Sequence, residues 1–105
     1  MDVGRYGESV AARFLVERGL TVIERNVFVD GDELDLIVLE GSRRIVVEVK
    51  TSANGDDPME AVDDVKAHRI RRAVHGYGLP VHRIDAIAVR LTPGGASVRW
   101  LKAAL

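Results

Sequence analysis

The sequence predicts an α/β fold: a mixed β-sheet flanked by helices, with element order α-β-β-β-α-β-β. Three observations lead there. Residues 33–39 and 45–50 alternate with period two and are otherwise strongly apolar, the pattern of half-buried strands. Two other segments carry apolar residues at helical spacing, one near residue 1 and one after the third strand. A three-stranded meander followed by a helical crossover to another strand yields a mixed sheet with helices packed on it.

Residues 2–18 form the first helix, with Val10, Ala11, Phe14 and Leu15 on one side and Gly19 as the stop signal. Glu8 lies on the flank of that apolar side, near Leu15. A strand at about 20–29 leads through Asp30-Gly31-Asp32 into the two acid-bearing strands, which Gly41-Ser42 joins. Residues 52–57 are a loop by composition, and Pro58 suits the first turn of a second helix running to about Gly76. Its apolar stripe is Val62, Ile70, Ala73 and Tyr77, with Lys66 projecting from the middle. The opposite side carries His68, Arg71, Arg72 and His75. Gly78 and Pro80 break the chain before a strand near 82–91. Thr92-Pro93-Gly94-Gly95 then turns into a short last strand carrying Trp100, expected in the core or at its rim.

With 105 residues, 47% apolar and 30% charged, the chain reads as one soluble globular domain over residues 1–105. The absence of cysteine excludes disulfides and thiolate metal sites. No stretch resembles a signal peptide or a membrane span, so the expected compartment is the cytoplasm, with no membrane partner. The net charge of −1 argues against a general nucleic-acid binder, but its distribution is uneven. Residues 1–65 hold 7 Lys/Arg against 15 Asp/Glu; residues 66–105 hold 8 against 1. Between Lys66 and Arg83 there are five basic residues, three histidines and no acid, a pattern suited to a polyanion.

Period-two alternation puts Leu34, Leu36 and Val38 on one face of their strand and Glu33, Asp35 and Ile37 on the other. In the next strand Val46, Glu48 and Lys50 share a face. A two-residue loop at Gly41-Ser42 sets Asp35 across from Glu48 and Glu33 across from Lys50. Like charges so opposed require compensation, and a divalent cation supplies it. Asp35, Glu48 and Lys50 suit metal-assisted phosphodiester hydrolysis, the acids as hard oxygen ligands for Mg2+ and the lysine beside the attacked phosphate. The same spacing also describes a solvent-facing sheet surface with ordinary Glu–Lys pairs. Glu8 is either a further ligand or an exposed helix glutamate, and Lys66 either reaches the site or snorkels. His68 and His75 are two helical turns apart, roughly 10 Å, and cannot share a metal. Asp85 is expected to pair with Arg83 or another cation, without a catalytic role.

These residues match a known pattern. Gly4-x-x-Gly7-Glu8-x-x-Ala11 followed by Phe14-Leu15, Arg25-Asn26, Glu33-Leu34-Asp35-Leu36-Ile37, Val47-Glu48-Val49-Lys50, Ala61-Val62 with Lys66, Arg69-Ile70 and Arg83-Ile84-Asp85 together resemble the UPF0102 (YraN-like) family of uncharacterised, predicted endonucleases. That family is similar to the PD-(D/E)xK nucleases, with the restriction-endonuclease-like fold shared by archaeal Holliday junction resolvases. The resemblance implies Asp35 and Glu48 as metal-binding catalytic acids, Lys50 as the motif lysine, Glu8 as the first-helix glutamate and Lys66 as a supporting residue. It leaves Glu33 without a defined role. The chain departs from the pattern at Asp32, where glycine is usual, and at Phe28 and Ser52, where arginines are common.

The expected protein is therefore an Mg2+- or Mn2+-dependent endonuclease with Asp35, Glu48, Lys50 and Glu8 at its catalytic site. Lys66, Arg69, Arg71 and Arg72 would hold the phosphates of DNA, branched DNA included, and a homodimer would serve paired cuts. The alternative is a non-catalytic nucleic-acid-binding or DNA-repair scaffold protein on the same fold.

Overall fold

The computed structural model describes residues 2–105, apart from the Ala61 side chain. The chain runs α1 (Val3–Glu17), β1 (Thr21–Val29), β2 (Asp32–Glu40), β3 (Arg43–Ser52), a 3-10 turn (Pro58–Ala61), α2 (Asp64–Gly76), β4 (Arg83–Thr92) and β5 (Gly95–Leu101). The five strands form one sheet in sequence order, β1-β2-β3-β4-β5. All neighbours are antiparallel except β3 and β4, which α2 connects in parallel. The expected order and mixed sheet are those observed.

Local chemistry explains the boundaries. Asp2 caps α1 by accepting the Arg5 N–H at 3.1 Å, and Gly19, at φ +89°, carries the chain out of the helix. Asp30 and Gly31 both have positive φ, as a type I′ hairpin requires. Gly41 alone does so in the next hairpin, which suits a type II′ turn. The second helix is shorter than its sequence pattern suggests. Asp57 caps the 3-10 turn and Asp63 caps α2, accepting the Lys66 N–H at 2.9 Å, so the chain breaks at Val62–Asp63 and restarts. Lys66 is consequently an exposed first-turn residue and not the centre of an apolar stripe.

The sheet has an apolar layer on each face. Under α1 lie Leu36, Val38, Ile45, Val47, Val49, Ile87 and Val89, packed against Ala11, Ala12 and Leu15. Under α2 lie Leu34, Ile37 and Val46, with Ile70 and Ala73. Leu34 thus shares a layer with Ile37, whereas strict alternation groups it with Leu36 and Val38. The irregularity sits at Asp35: the β1–β2 register passes from Arg25↔Leu36 to Val27↔Leu34 without pairing Asn26 or Asp35. Asn26 is left-handed, at φ +52°. A disturbance of this kind re-aims a strand's side chains.

Gly7 faces Thr51 of β3 so closely that a Cβ there would lie 2.8 Å from the Thr51 Cβ and closer still to its Oγ1. The missing side chain lets α1 settle onto β3 beside the next residue, Glu8. Gly7→Ala should destabilise the protein by about 1–3 kcal/mol, the usual cost of overpacking, read as a lower urea midpoint with an unchanged m-value.

Candidate metal centre

Beyond Leu36↔Val47 the regular β2–β3 ladder ends, one residue short of Asp35 and Glu48. There the carboxylates take over from the backbone. The Val49 N–H donates to Asp35 Oδ2 at 2.8 Å, and the Asp35 N–H donates to Glu48 Oε2 at 3.1 Å. The expected neighbourhood of Asp35 and Glu48 is present. Glu33 and Lys50, expected to face each other, lie past the end of the ladder and are not paired.

Three carboxylates converge at this opening. One ligand oxygen from each of Glu8, Glu33 and Asp35 lies within 4.8 Å of the others. Glu8 comes from α1 and the other two from β2. Asn26 holds two of them: its side-chain amide donates to Glu8 at 2.9 Å and to Glu33 at 2.7 Å. Its left-handed backbone sets that side chain between them, a conformation Asn tolerates better than most residues. Glu33 joins the acidic cluster as its place on the face of Asp35 predicts, whereas the function of Asn26 as the link between Glu8 and Glu33 was not read from the sequence. The signals for Asn26 were its departure from the β-branched and aromatic norm of strands and its place in the Arg25-Asn26 segment.

Burial controls the electrostatics. Desolvation, with the Glu8 charge adding to it, pushes Asp35 from its usual 3.8 to about 6, although the Val49 N–H and Lys50 pull the other way. Desolvation and the Asp35 charge push Glu48 from 4.5 to about 8. Both shifts favour the protonated form, so the two carboxyls titrate as a pair above the usual carboxylate range. Among the described residues, no lysine or arginine lies within salt-bridge distance of Glu8, Glu33, Asp35 or Glu48. Asp85, which is fully buried, differs in this respect. It accepts from Arg83 Nε at 2.8 Å, Trp100 Nε1 at 2.9 Å and the Ala103 N–H at 2.8 Å. Asp85 is a neutralised structural acid, as expected, and Trp100 is its partner at the core rim.

The cationic residues divide into two groups. Lys50, Lys66 and Arg69 line a cavity of about 170 Å³ with Glu33 and Glu48, on the α2 side of the opening. Arg72 is held at 3.0 Å by Asp32, while exposed Arg71 is not among the residues lining that cavity. The four basic residues expected to act together are thus split, with Lys66 and Arg69 alone at the site. The cluster as a whole fits a hard divalent ion: it offers carboxylate oxygens that, among the described residues, no lysine or arginine approaches within ion-pair distance.

The model of the uncharacterised protein family UPF0102 matches residues 7–89, which include every acid of the cluster. The chain belongs to the UPF0102 family. A UPF0102 protein of Marinobacter nauticus is 40% identical, covering 98% of this chain and 91% of its own length. Those of Streptomyces griseus and Streptomyces coelicolor are each 42% identical over 91% of this chain, covering 88% and 82% of their own lengths. No helix among the described residues of this UPF0102 protein is long and apolar enough to cross a membrane.

The raised pKa values fix a pH dependence. Between the unfolded values of 3.8 and 4.5 and the folded values of about 6 and about 8, the native state binds more protons than the unfolded one. Stability without metal should therefore fall as pH rises from about 4 to 8. Urea unfolding in EDTA across that range should show the decline, flattened in Asp35→Asn and Glu48→Gln. A wild-type profile that rises toward pH 8 would contradict the assigned shifts.

Proposed function

We propose that this protein is a divalent-metal-dependent endonuclease that hydrolyses phosphodiester bonds in DNA. The observation that carries it is the convergence of Glu8, Glu33 and Asp35 beside buried Glu48, with no ion-pair partner within reach of these acids among the described residues. Glu8, Glu33, Asp35 and Glu48 would hold Mg2+ or Mn2+. When bound, the ion supplies Lewis-acid polarisation of the phosphate and a lowered pKa for its water.

The chain's own residues divide the remaining work. Asn26 keeps Glu8 and Glu33 side by side, so their oxygens are positioned before any ligand arrives. A carboxyl must be deprotonated to ligate a cation, so the upward shift at Glu48 would make metal binding tighter at higher pH. Lys50 projects on the α2 face of β3 and balances charge developing on the phosphate. Lys66 and Arg69, lining the same cavity, supply contacts to the backbone that are blind to base sequence. Nucleic acid, DNA first, is the partner that this charge pattern suits. One such domain carries one site, so paired cuts on a branched substrate would use a two-fold dimer. One observation favours the non-catalytic alternative: Phe28 and Ser52 stand where basic residues would strengthen substrate binding.

Saturating Mn2+ should raise the melting temperature, since a ligand at a hundred times its Kd adds roughly 2.7 kcal/mol to native stability. Asp35→Asn should abolish that response. Lys50→Ala should keep it and lower cleavage by about 10²–10³, the scale of losing one stabilising charge contact. Suitable substrates are single strands, flaps, and three- and four-way junctions, each with Mg2+ and Mn2+. Binding without cleavage across that panel would leave the non-catalytic alternative. Equal residual cutting by wild type and Asp35→Asn would remove Asp35 from the chemistry.

A further inference from the structure

Strand register lays out a second charged feature on the α2 face of the sheet. Lys50 pairs with Ala88 and Ala88 with Arg99, forming one row across β3, β4 and β5. Two residues further along, Ser52 pairs with Arg90 and Arg90 with Ser97. Lys50 and Arg99 are two strand spacings apart, roughly 10 Å, with alanine between them. Arg90 lies one strand from Lys50 and two residues on.

Hollows connect this patch to the metal centre. Lys50 borders both the acidic cavity and an open hollow of about 550 Å³ that extends to Asp57 and Pro58. Asp57 and Pro58 in turn border a small cavity of about 60 Å³ lined by Ala88, Arg90, Ser97 and Arg99. Arg90 lines that cavity, and its buried Nε has no hydrogen-bond partner among the described residues. Arg99 is occupied by a carboxylate: its NH2 group donates to Asp57 Oδ1 at 3.2 Å. That pair is partly exposed, 58% at the arginine and 36% at the aspartate, and such pairs are weakly held.

We propose that Arg90, Arg99 and Ser97 form a second phosphate site for the polynucleotide backbone, which Asp57 covers in the free protein. The site extends the endonuclease function proposed above: a strand with one phosphate at the metal centre continues past Lys50 along the trough to Arg90 and Arg99. A backbone phosphate offers the two arginines more acceptor oxygen than Asp57 does. Asp56 and Glu60 also line the larger hollow, so a strand there passes between like charges and depends on the arginines at its far end. Asp57 Oδ1 also caps the 3-10 turn, accepting the Met59 N–H at 3.0 Å, so uncovering the site either gives up that cap or turns Arg99 away from it.

The test is fluorescence anisotropy with a fluorescein-labelled DNA single strand, using Ca2+ in place of Mg2+, over a series of salt concentrations. Arg99→Gln and Arg90→Gln should each weaken binding several-fold and flatten the slope of log K against log salt by about 0.7, the single-strand contribution of one phosphate contact. Asp57→Asn should tighten it. The Mn2+-induced rise in melting temperature should be unaltered in all three variants, which separates loss of this site from loss of the fold or of the metal centre. Wild-type affinity and slope in both arginine variants would overturn the second site and leave the endonuclease proposal standing. No binding by the wild-type protein would overturn both. Binding of adenosine 5′-monophosphate that Arg99→Gln abolishes, with strand binding untouched, would identify a mononucleotide pocket and overturn the backbone assignment.

Discussion

Two backbone N–H groups, those of Asp35 and Val49, are bonded to carboxylates at the point where β2 and β3 part, and much of the molecule is arranged around that exchange. A buried N–H must find an acceptor, and an ionisable side chain is a costly one to bring into the interior: removing a charge from water costs several kcal/mol even after relaxation. The protein meets the cost in part through the N–H donors themselves and in part through upward-shifted carboxyl pKa values that favour the neutral form. What remains uncompensated is a concentration of acid at the mouth of the sheet. Both helices are anchored near it. α1 delivers Glu8 from one face through the close Gly7–Thr51 contact, and α2 presents Lys66 and Arg69 from the other.

The contrast with Asp85 shows that burial alone does not mark a functional acid. Asp85 is 0% exposed, deeper than Glu48 at 4%, yet Arg83, Trp100 and a backbone N–H satisfy it completely. Arg83 also reaches Glu40 at 3.1 Å and so ties the end of β2 to β4. One buried acid, ion-paired to Arg83, therefore closes the sheet at one end. Buried Glu48 and half-buried Asp35, without an ion-pair partner among the described residues, stand at the opening between β2 and β3.

Much of this was legible in the sequence because the signals were local. Asp30-Gly31 and Gly41-Ser42 specify their hairpins, and the crossover between β3 and β4 follows from the helical spacing of Ile70, Ala73 and Tyr77. Asp35, Glu48 and Lys50 drew notice because charge interrupts an apolar alternation. The change of face at Asp35 was not legible. Period two assumes an unbroken pleat, and only the joint irregularity of Asn26 and Asp35 moves Leu34 into the layer with Ile37. The start of α2 was missed for a related reason: Pro58 and Asp63 are both credible helix starts, and the second cap prevails. Asn26 was passed over because an amide that holds two carboxylates declares itself only when α1 and β2 are brought together.

β1 is an edge of the sheet and displays Phe28 at 70% exposure, a combination that invites another chain to add a strand. Its register shifts between Val22 and Glu24, and at Asn26 the backbone turns left-handed. An incoming strand needs an even row of donors and acceptors, and this rim offers one only in short stretches. The kink that sets Asn26 between Glu8 and Glu33 thus also makes the strand a poor template for aggregation, guarding solubility where the surface is most adhesive.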